Sequence, residues 1–423
     1  MSVKKILFFC DASDIDIVER SFAETKDYEI TFETSERVLE YGVKDYLQRT
    51  IELINQHPDM YDGIVGTHDS SAVFASIICD QTGKTFASVQ SIINCQNKYL
   101  CRTIQKDHIP ENTPRFALAL DYLKNPDMLS SPVFIKPVRS NISFGTHIIH
   151  KPTDLEIYIG QETQDIAFFN QYFIDAISLS SQYFNQSNLD TCNSFLCEEI
   201  ISGDQVTIDG FVFDDQVEFL GMTKAVYYEY SNSFSHHEFP YTFSPELEAA
   251  IKTNLSKLMI QLGIKNSFFN VELRAEEDKD SFTIIEVNSR IAFQFAKTIQ
   301  SVKGYDPLHI LCDISVGSKP DLNPVTQQEL FDLCFNFELH AFSDKKILKT
   351  PTQSEYEEVK LYYPEIHIRN LIHENTYLSD YKHNPESFRY CILDIPGNSK
   401  DEIMNKYYHV ISMLKYEFED ITK

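Results

Sequence analysis

Short apolar runs alternate with amphipathic segments along the first part of the chain. The run at residues 6–10 is apolar throughout, which is typical of a buried parallel strand, and further strands are predicted at residues 28–33 and 63–66. Segments with helical periodicity lie between them, at residues 15–25 and 43–56, and another helix follows at residues 70–78. This alternation predicts a doubly wound α/β domain over about residues 1–95.

The rest of the chain is predicted to be mixed. Strands are expected at residues 132–137, on both sides of a turn between 196 and 212, and at 216–228. A helix with one apolar face is expected at residues 245–262, and a hairpin follows it. The segment from Ile166 to Phe184 is interrupted by polar residues, so it is interpreted as an amphipathic helix and not as a membrane span. Strands and short helices are expected in the last hundred residues or so.

The predicted hairpin carries candidate chemistry. In the sequence FTIIEVNSRIAFQ, Glu286, Asn288 and Arg290 alternate with apolar residues, so they would share one face of a strand. The strand before it can bring Glu272 alongside Glu286. Carboxylate and amide oxygens are ligands that Mg²⁺ prefers, usually together with substrate phosphates. The pattern suits a magnesium–nucleotide site, although taken alone it also fits a merely solvated strand face.

A lysine and a polar loop follow the strand at residues 132–137. Lys136 lies at the end of an apolar run, where an unpaired charge is costly, so it is expected to contact an anion. The loop from Ser140 to Gly145 is small and polar, and its backbone N–H groups could cover phosphates. Loops of this composition are also common in ordinary turns.

Two histidine-containing segments have weaker interpretations. His68 and Asp69 lie at the carboxyl end of a predicted strand, where doubly wound sheets bind ligands, but Asp69 also suits a plain helix N-cap. His236 and His237 lie in a Ser-rich aromatic segment. They could line a substrate site, but we expect an exposed loop.

Length and charge narrow the class of protein. A chain of 423 residues is too long for one ordinary core, so two or three domains are the simplest expectation. The formal net charge of −26 disfavours nucleic-acid binding, since an acidic surface repels phosphate backbones. The cysteines are scattered without zinc-type spacing, and neither a signal peptide nor a membrane span is expected. A cytoplasmic protein with free thiols fits these features.

The ordered set of candidate segments resembles the ATP-grasp superfamily. In chain order, the segments that carry the resemblance are Asn97-Lys98, Ile135-Lys136-Pro137, Ser140 to Gly145, Glu198 to Gly203, Lys224, Glu272 and Glu286 to Arg290. Within that superfamily the chain is most similar to the carboxylate–amine ligases related to D-alanine–D-alanine ligase and bacterial L-amino-acid ligases. The resemblance implies an α/β ATP-grasp fold with four domains: an N-terminal doubly wound α/β (pre-ATP-grasp) domain at 1–95, two α+β lobes that clasp ATP at 96–200 and 201–318, and a C-terminal α+β lobe at 319–423.

The resemblance also implies a role for each matching residue. Lys98 and Lys136 would hold ATP phosphates, with Lys224 as a third lysine near them, and Ser140, Ser143, Phe144 and Gly145 would belong to the loop that closes over the phosphates. Glu198, Glu199 and the backbone of Ile201 would meet adenine, and Gln205 would meet the ribose. Glu272, Glu286 and Asn288 would bind Mg²⁺, or Mn²⁺ in its place. Arg290 would hold an acyl phosphate, and His68, Asp69 and Phe293 would contact the substrate.

These roles imply an ATP- and Mg²⁺-dependent ligase that activates a small-molecule carboxylate and joins it to an amine, with release of ADP and phosphate. A homodimer is a further expectation. Two alternatives remain open: a thiol or a protein tail as acceptor, or a nucleotide-binding regulatory protein without chemistry. Ser289, Ala292 and Phe293 depart from the usual pattern beside the acceptor pocket, and the phosphate loop is poorer in glycine than usual. An unusual substrate pocket is therefore expected.

Overall fold

A computed structural model describes residues 3–23, 25–141, 144–180, 182–183, 186–324, 330–381 and 387–421. The chain divides into two compact units. Unit 1 comprises residues 1–220, 243–293 and 308–321, and unit 2 comprises residues 221–242, 294–307 and 322–423.

Unit 1 begins with a parallel three-stranded sheet of order β2-β1-β3. Its elements in chain order are β1 (Lys4–Cys10), α1 (Ile15–Phe22), β2 (Tyr28–Thr34), α2 (Ser35–Tyr41), α3 (Val43–Gln56), β3 (Gly63–Gly66) and α4 (Asp69–Thr82). The apolar side chains of β1 are fully buried, because helices cover a parallel sheet on its faces. The carboxyl ends of β1 and β3 lie side by side, which places residues 11–14 near residues 67–69.

An antiparallel four-stranded sheet follows, with the order β4-β7-β5-β6. The elements are α5 (Val89–Gln96), α6 (Lys98–His108), β4 (Phe116–Leu118), α7 (Ala119–Lys124), β5 (Val133–Pro137), β6 (His147–Ile149), α8 (Pro152–Ile177), α9 (Gln186–Cys192) and β7 (Phe195–Glu199). Asn97 caps α6 by accepting a hydrogen bond from the backbone N–H of Leu100, so Lys98 becomes the first residue of that helix.

The remaining elements of unit 1 include the predicted hairpin. They are β8 (Asp204–Phe213), β9 (Gln216–Tyr227), α10 (Pro245–Gln261), β11 (Ser267–Glu276) and β12 (Ser281–Asn288). The strands β12, β11 and β8 pair in that order, antiparallel. The strand β9 begins in unit 1 and ends in unit 2.

Unit 2 contains the strand order β9-β10-β13-β16-β15 and a separate pair, β14-β17. Its elements are β10 (Phe234–Phe239), α11 (Ala296–Lys303), α12 (Pro307–Ser315, which continues into unit 1), β13 (Leu333–Ala341), β14 (Lys345–Lys349), α13 (Gln353–Tyr362), β15 (His367–Asn370), β16 (Phe388–Gly397), α14 (Lys400–Met413) and β17 (Glu417–Asp420). Its main core lies between β13, β16, α13 and α14.

The structure corrects one local prediction clearly. His236 and His237 do not lie in an exposed loop: they belong to β10, which pairs with β9 and β13. His237 is 4% exposed. Of the predicted amphipathic helix at residues 166–184, residues 166–177 belong to the longer α8, which ends at Ile177; residues 181 and 184 lie outside the described residues. In the described part of the chain, none of the helices combines the length and the apolar character needed to cross a bilayer.

Candidate functional site

Two glutamates face each other across the hairpin of β11 and β12. The register places Glu272 opposite Glu286 and Asn270 opposite Asn288. Like charges directly opposite on neighbouring strands repel, so this arrangement favours a bound cation. Burial and the neighbouring Glu286 raise the pKa of Glu272 to about 7, which shows that its negative charge is poorly compensated by the protein alone.

A chain of amides orients Asn288. The side-chain nitrogen of Asn288 donates to the oxygen of Asn270 at 3.4 Å, and the nitrogen of Asn270 donates to Asp209 at 2.9 Å. Because the nitrogen of Asn288 is used in this way, its oxygen remains for a cation. The donor set of Glu272, Glu286 and Asn288 is composed of oxygen ligands, so these residues fit a magnesium ion that also takes oxygens from a phosphate.

Lys98 connects the metal-binding carboxylates to the polar loop. Its Nζ lies 3.2 Å from the carboxylate of Glu286 and donates to the backbone oxygen of Ser140 at 2.7 Å. The residue is 7% exposed, because it begins α6 beneath the loop. A phosphate bound near Glu286 would therefore meet this ammonium group.

A buried ion-pair cluster holds Lys136. Its Nζ lies 2.8 Å from Glu198, whose other oxygen accepts from Arg102 Nε at 2.6 Å. Burial disfavours the charge of Glu198, but Arg102 and Lys136 outweigh it and lower the pKa of that carboxyl to about 2. Burial, with Arg102 nearby, lowers the pKa of Lys136. The sequence predicted a contact between Glu198 and adenine, whereas the structure gives both carboxylate oxygens to these two cations.

A β-bulge at Ile285 adds a further ligand to the same cluster. Glu272 pairs with Glu286 but Leu273 pairs with Ile284, so Ile285 has no opposite residue. Its backbone oxygen instead accepts hydrogen bonds from Arg102 Nη2 at 2.6 Å and from Lys136 Nζ at 3.3 Å. The bulge therefore joins the lysine of β5 to the strand that carries the metal ligands.

Arg290 lies just beyond β12 and pairs with the N-terminal sheet. Its Nε donates to Asp69 at 2.8 Å. Burial alone would raise the pKa of Asp69, but Arg290 outweighs burial and lowers it. His68 lies next to this pair, with Nε2 2.6 Å from Asp14 and its ring 5.6 Å from that of Phe293. The predicted substrate residues His68, Asp69 and Phe293 are thus gathered around Arg290.

A cavity lies beside the segment that connects β7 to β8. It is lined by Glu199, Ile200, Ile201, Ser202, Arg274, Glu276, Ser281, Phe282 and Thr283. Glu199 is held by the backbone N–H of Arg115 at 2.8 Å and by its guanidinium at 3.0 Å. Gln205, predicted to meet ribose, donates to Glu272 at 3.1 Å. The predicted adenine-contacting segment therefore borders an open space with both apolar and polar walls.

The structure describes only part of the polar loop at residues 140–145, and it places Lys224 in unit 2. Ser143 lies outside the described residues. Phe144 is 40% exposed, with its ring 6.0 Å from that of Phe169, and Gly145 has φ +67°, a conformation that favours glycine. Lys224 belongs to unit 2, where its ammonium lies 5.1 Å from the centre of the Tyr241 ring.

Arg102 and Arg139 were not predicted from the sequence as site residues. Arg102 follows Lys98 by one helical turn, a spacing that puts both on one side of α6. Arg139 comes three residues after Lys136 and lines a cavity that also reaches Asp69, Ser140, Glu286 and Asn288. The helical spacing was a usable signal for Arg102. The sequence contained no comparable signal for Arg139, whose partners lie far along the chain.

The fold and this arrangement define the class of protein. Residues 129–299 match the family model described as an ATP-grasp domain. These residues are therefore similar to an ATP-grasp domain, and the ATP-grasp fold expected from the sequence is confirmed. No curated protein matches the sequence.

Solved structures with the same fold match nearly the whole length of this chain. The L-amino acid ligase from Bacillus licheniformis is 16% identical with a TM-score of 0.71, covering 99% of this chain and 100% of the ligase. The biotin carboxylase domain of 2-oxoglutarate carboxylase from Hydrogenobacter thermophilus, solved with MgADP and bicarbonate, is 13% identical with a TM-score of 0.69, covering 99% and 92%. N5-carboxyaminoimidazole ribonucleotide synthetase from Thermotoga maritima is 11% identical with a TM-score of 0.62, covering 98% and 99%.

Proposed function

We propose that this protein is an ATP- and Mg²⁺-dependent ligase that joins a small-molecule carboxylate to an amine. The observation that carries the proposal is the opposed pair Glu272 and Glu286, placed beside Lys98 on an ATP-grasp domain. The similar structures support it, since they include an L-amino acid ligase and a carboxylase domain solved with MgADP.

In this proposal Glu272, Glu286 and Asn288 would hold Mg²⁺, which would supply neutralisation of phosphate charge. An oxygen of the substrate carboxylate attacks the γ-phosphorus, the bond from that phosphorus to the β-phosphate oxygen breaks, and ADP leaves. The neutral amine nitrogen then attacks the acyl carbon, the bond from that carbon to the phosphate oxygen breaks, and the proton that the nitrogen loses leaves with inorganic phosphate. Arg290 presents a planar, permanently charged group to the oxygens of the acyl phosphate.

The two lysines have different roles in this proposal. Lys98 contacts Glu286, and Lys136 contacts Glu198. With the carboxylate of Glu286 as a magnesium ligand, Lys98 would be available to a phosphate oxygen. Lys136 remains beside Glu198 and Arg102, which hold it at the end of β5. The space next to Glu199 and Ile201 takes the adenine ring.

The direct test is an ADP-release assay with ATP, Mg²⁺ and pooled amino acids and small acids, each with and without an amine. We expect ADP formation that requires a carboxylate. Mass spectrometry of the products distinguishes an amide from a thioester or a modified protein tail. Absence of stimulation by every carboxylate–amine pair, in protein that binds ATP, would contradict the proposal.

A variant of the metal site provides a matched comparison. Glu286→Ala removes a carboxylate that faces Glu272, so we expect loss of carboxylate-stimulated ADP release. Glu52→Ala is the control, because Glu52 lies exposed on α3, where it accepts a hydrogen bond from Gln48 at 3.2 Å. Full activity of Glu286→Ala would show that the metal site lies elsewhere.

A further inference from the structure

Arg139 is a buried cation whose direct hydrogen-bond partners, among the residues that the structure describes, are all neutral. The residue is 3% exposed. Its Nη2 donates to Gln96 at 2.7 Å and to the hydroxyl of Tyr172 at 2.5 Å, and its Nη1 donates to the side-chain oxygen of Asn170 at 3.0 Å. These partners fix the plane of the guanidinium but bring no negative charge to it.

Aromatic rings surround the same guanidinium. Its central carbon lies 4.2 Å from the ring centre of Phe173, 4.7 Å from that of Tyr172 and 5.7 Å from that of Phe169. Rings stabilise a cation only in part, so burial of this charge remains costly without an anion. The charge of Arg139 contributes to lowering the pKa of Asp69, but the Asp69 carboxylate accepts its hydrogen bond from Arg290 Nε, at 2.8 Å.

The cavity beside Arg139 continues to the proposed metal site. Gln96, Phe169, Tyr172, Glu286 and Asn288 all line it, and so does Asp69. A small molecule whose reacting carboxylate lies at the metal end therefore has its remaining part directed towards Arg139. Four of the five N–H groups of the guanidinium donate to Gln96, Asn170 and Tyr172, which leaves one N–H on Nη1 that can donate a charge-assisted hydrogen bond to an anionic oxygen.

We propose that Arg139 binds a second anionic group of the carboxylate substrate. The substrate class is then an acid with two negative groups, such as a dicarboxylate or an acidic amino acid: one carboxylate reacts and the other is held by Arg139. This assignment rests on the proposed ligase function. It also gives a role to Arg139, which directly precedes the loop from Ser140 to Gly145.

The test compares acids with amides of nearly the same shape. The pairs are succinate and succinamate, glutarate and glutaramate, L-aspartate and L-asparagine, and L-glutamate and L-glutamine. Binding is measured by calorimetry with ADP and Mg²⁺ present, and turnover by ADP release with hydroxylamine as the amine. For at least one pair we expect the acid to bind at least about tenfold more tightly, since a charge-assisted hydrogen bond is lost with the amide.

Variants separate binding by Arg139 from a structural role. Arg139→Met should abolish the preference for the acid while leaving the affinity for the amide nearly unchanged, and Arg139→Lys should retain part of it. A merely structural arginine would instead lower the affinity for acid and amide equally. Arg37→Met is the control, because the exposed Arg37 pairs with Glu33 at 3.0 Å, outside the proposed site.

The outcomes distinguish the two proposals. Equal affinity for acid and amide in every pair, or an unchanged preference in Arg139→Met or Arg139→Lys, would overturn the role of Arg139. ADP release driven by monocarboxylates alone would overturn it as well, while supporting the ligase function. A selective binding of acids that depends on Arg139, without any ADP release, would support this assignment and contradict the ligase function.

Discussion

At the scale of single residues, two adjacent glutamates have opposite environments. Glu198 is 2% exposed and lies between Arg102 and Lys136. Glu199 has a side chain that is 36% exposed and pairs with Arg115, which is more exposed still. The alternation of β7 puts one carboxylate inside the protein and the other at its surface. The two residues therefore offer a matched comparison of a buried and an exposed ion pair.

Replacing Glu198 should destabilise the protein far more than replacing Glu199. Glu198→Gln leaves Arg102 and Lys136 buried without their shared carboxylate, which costs about 3–5 kcal/mol. Glu199→Gln should cost no more than about 1 kcal/mol, because its pair is exposed to water. Urea denaturation of both variants measures the difference. Equal midpoints for the two variants would show that the cluster around Glu198 does not stabilise the fold.

The contribution of Glu198 should also depend on pH in a defined direction. Its pKa is about 2 in the folded protein, below the ordinary value of 4.5. The folded state therefore favours the ionised form, so the stabilisation is complete above pH 4.5 and decreases as the pH falls towards 2. The stability difference between wild type and Glu198→Gln, measured from pH 6 down to about 3, should shrink. A difference that is constant or grows would contradict this ionisation.

The candidate site could be predicted from the sequence only in part at this scale. Lys98, Glu272 and Glu286 were identified by residue type and order, and the structure brings them together. Arg139 could not be identified, because its partners come from α5 and α8 and only the folded chain brings them near. The individual roles assigned to these residues stay predictions.

At the scale of elements, segments with a strong local pattern were predicted correctly, whereas a strand that depends on long-range pairing was missed. The helix Val43–Gln56 and the strand Gly63–Gly66 lie at the residues predicted, since each has a strong pattern of its own. The strand β10 was missed because its sequence, FSHHEF, is polar. Its conformation depends on pairing with β9, the preceding strand, and with β13, which comes from a distant part of the chain. The bulge at Ile285 likewise depends on pairing that the sequence does not display.

The turn between β7 and β8 should tolerate only glycine at position 203. Gly203 has φ +104°, and a Cβ there would lie 2.5 Å from the backbone oxygen of Ala275. Gly203→Ala should therefore destabilise the protein by about 1–3 kcal/mol and raise the KM for ATP, because the turn borders the proposed adenine space. Thermal denaturation and ATP kinetics measure the two effects.

Gly160 provides the matched control for this turn. It lies within α8, and a Cβ there would meet nothing within 4 Å. Gly160→Ala should be neutral or stabilising by up to about 1 kcal/mol, because alanine favours helices. If Gly203→Ala behaved like Gly160→Ala, the left-handed turn would not be required for the fold.

At the scale of the whole molecule, the fold was predicted more completely than the activity. The order of the segments was enough to predict the ATP-grasp fold, because the elements occur in a fixed sequence along the chain. The four domain boundaries and a homodimer stay predictions. The net charge of −26 makes the cations in unit 1 notable, since Lys98, Lys136 and Arg139 are all buried near the proposed ligand. Substrate identity depends on the shape of that site, which no single segment specifies.

The central claim is that ATP activates a carboxylate as an acyl phosphate. Transfer of ¹⁸O tests it most directly: the protein is incubated with ATP, Mg²⁺, an amine and ¹⁸O-labelled acids, and the released phosphate is analysed by mass spectrometry. The account predicts one ¹⁸O atom in each phosphate formed, because the carboxylate oxygen that attacks phosphorus leaves with it. Carboxylate-dependent release of unlabelled phosphate would contradict the account.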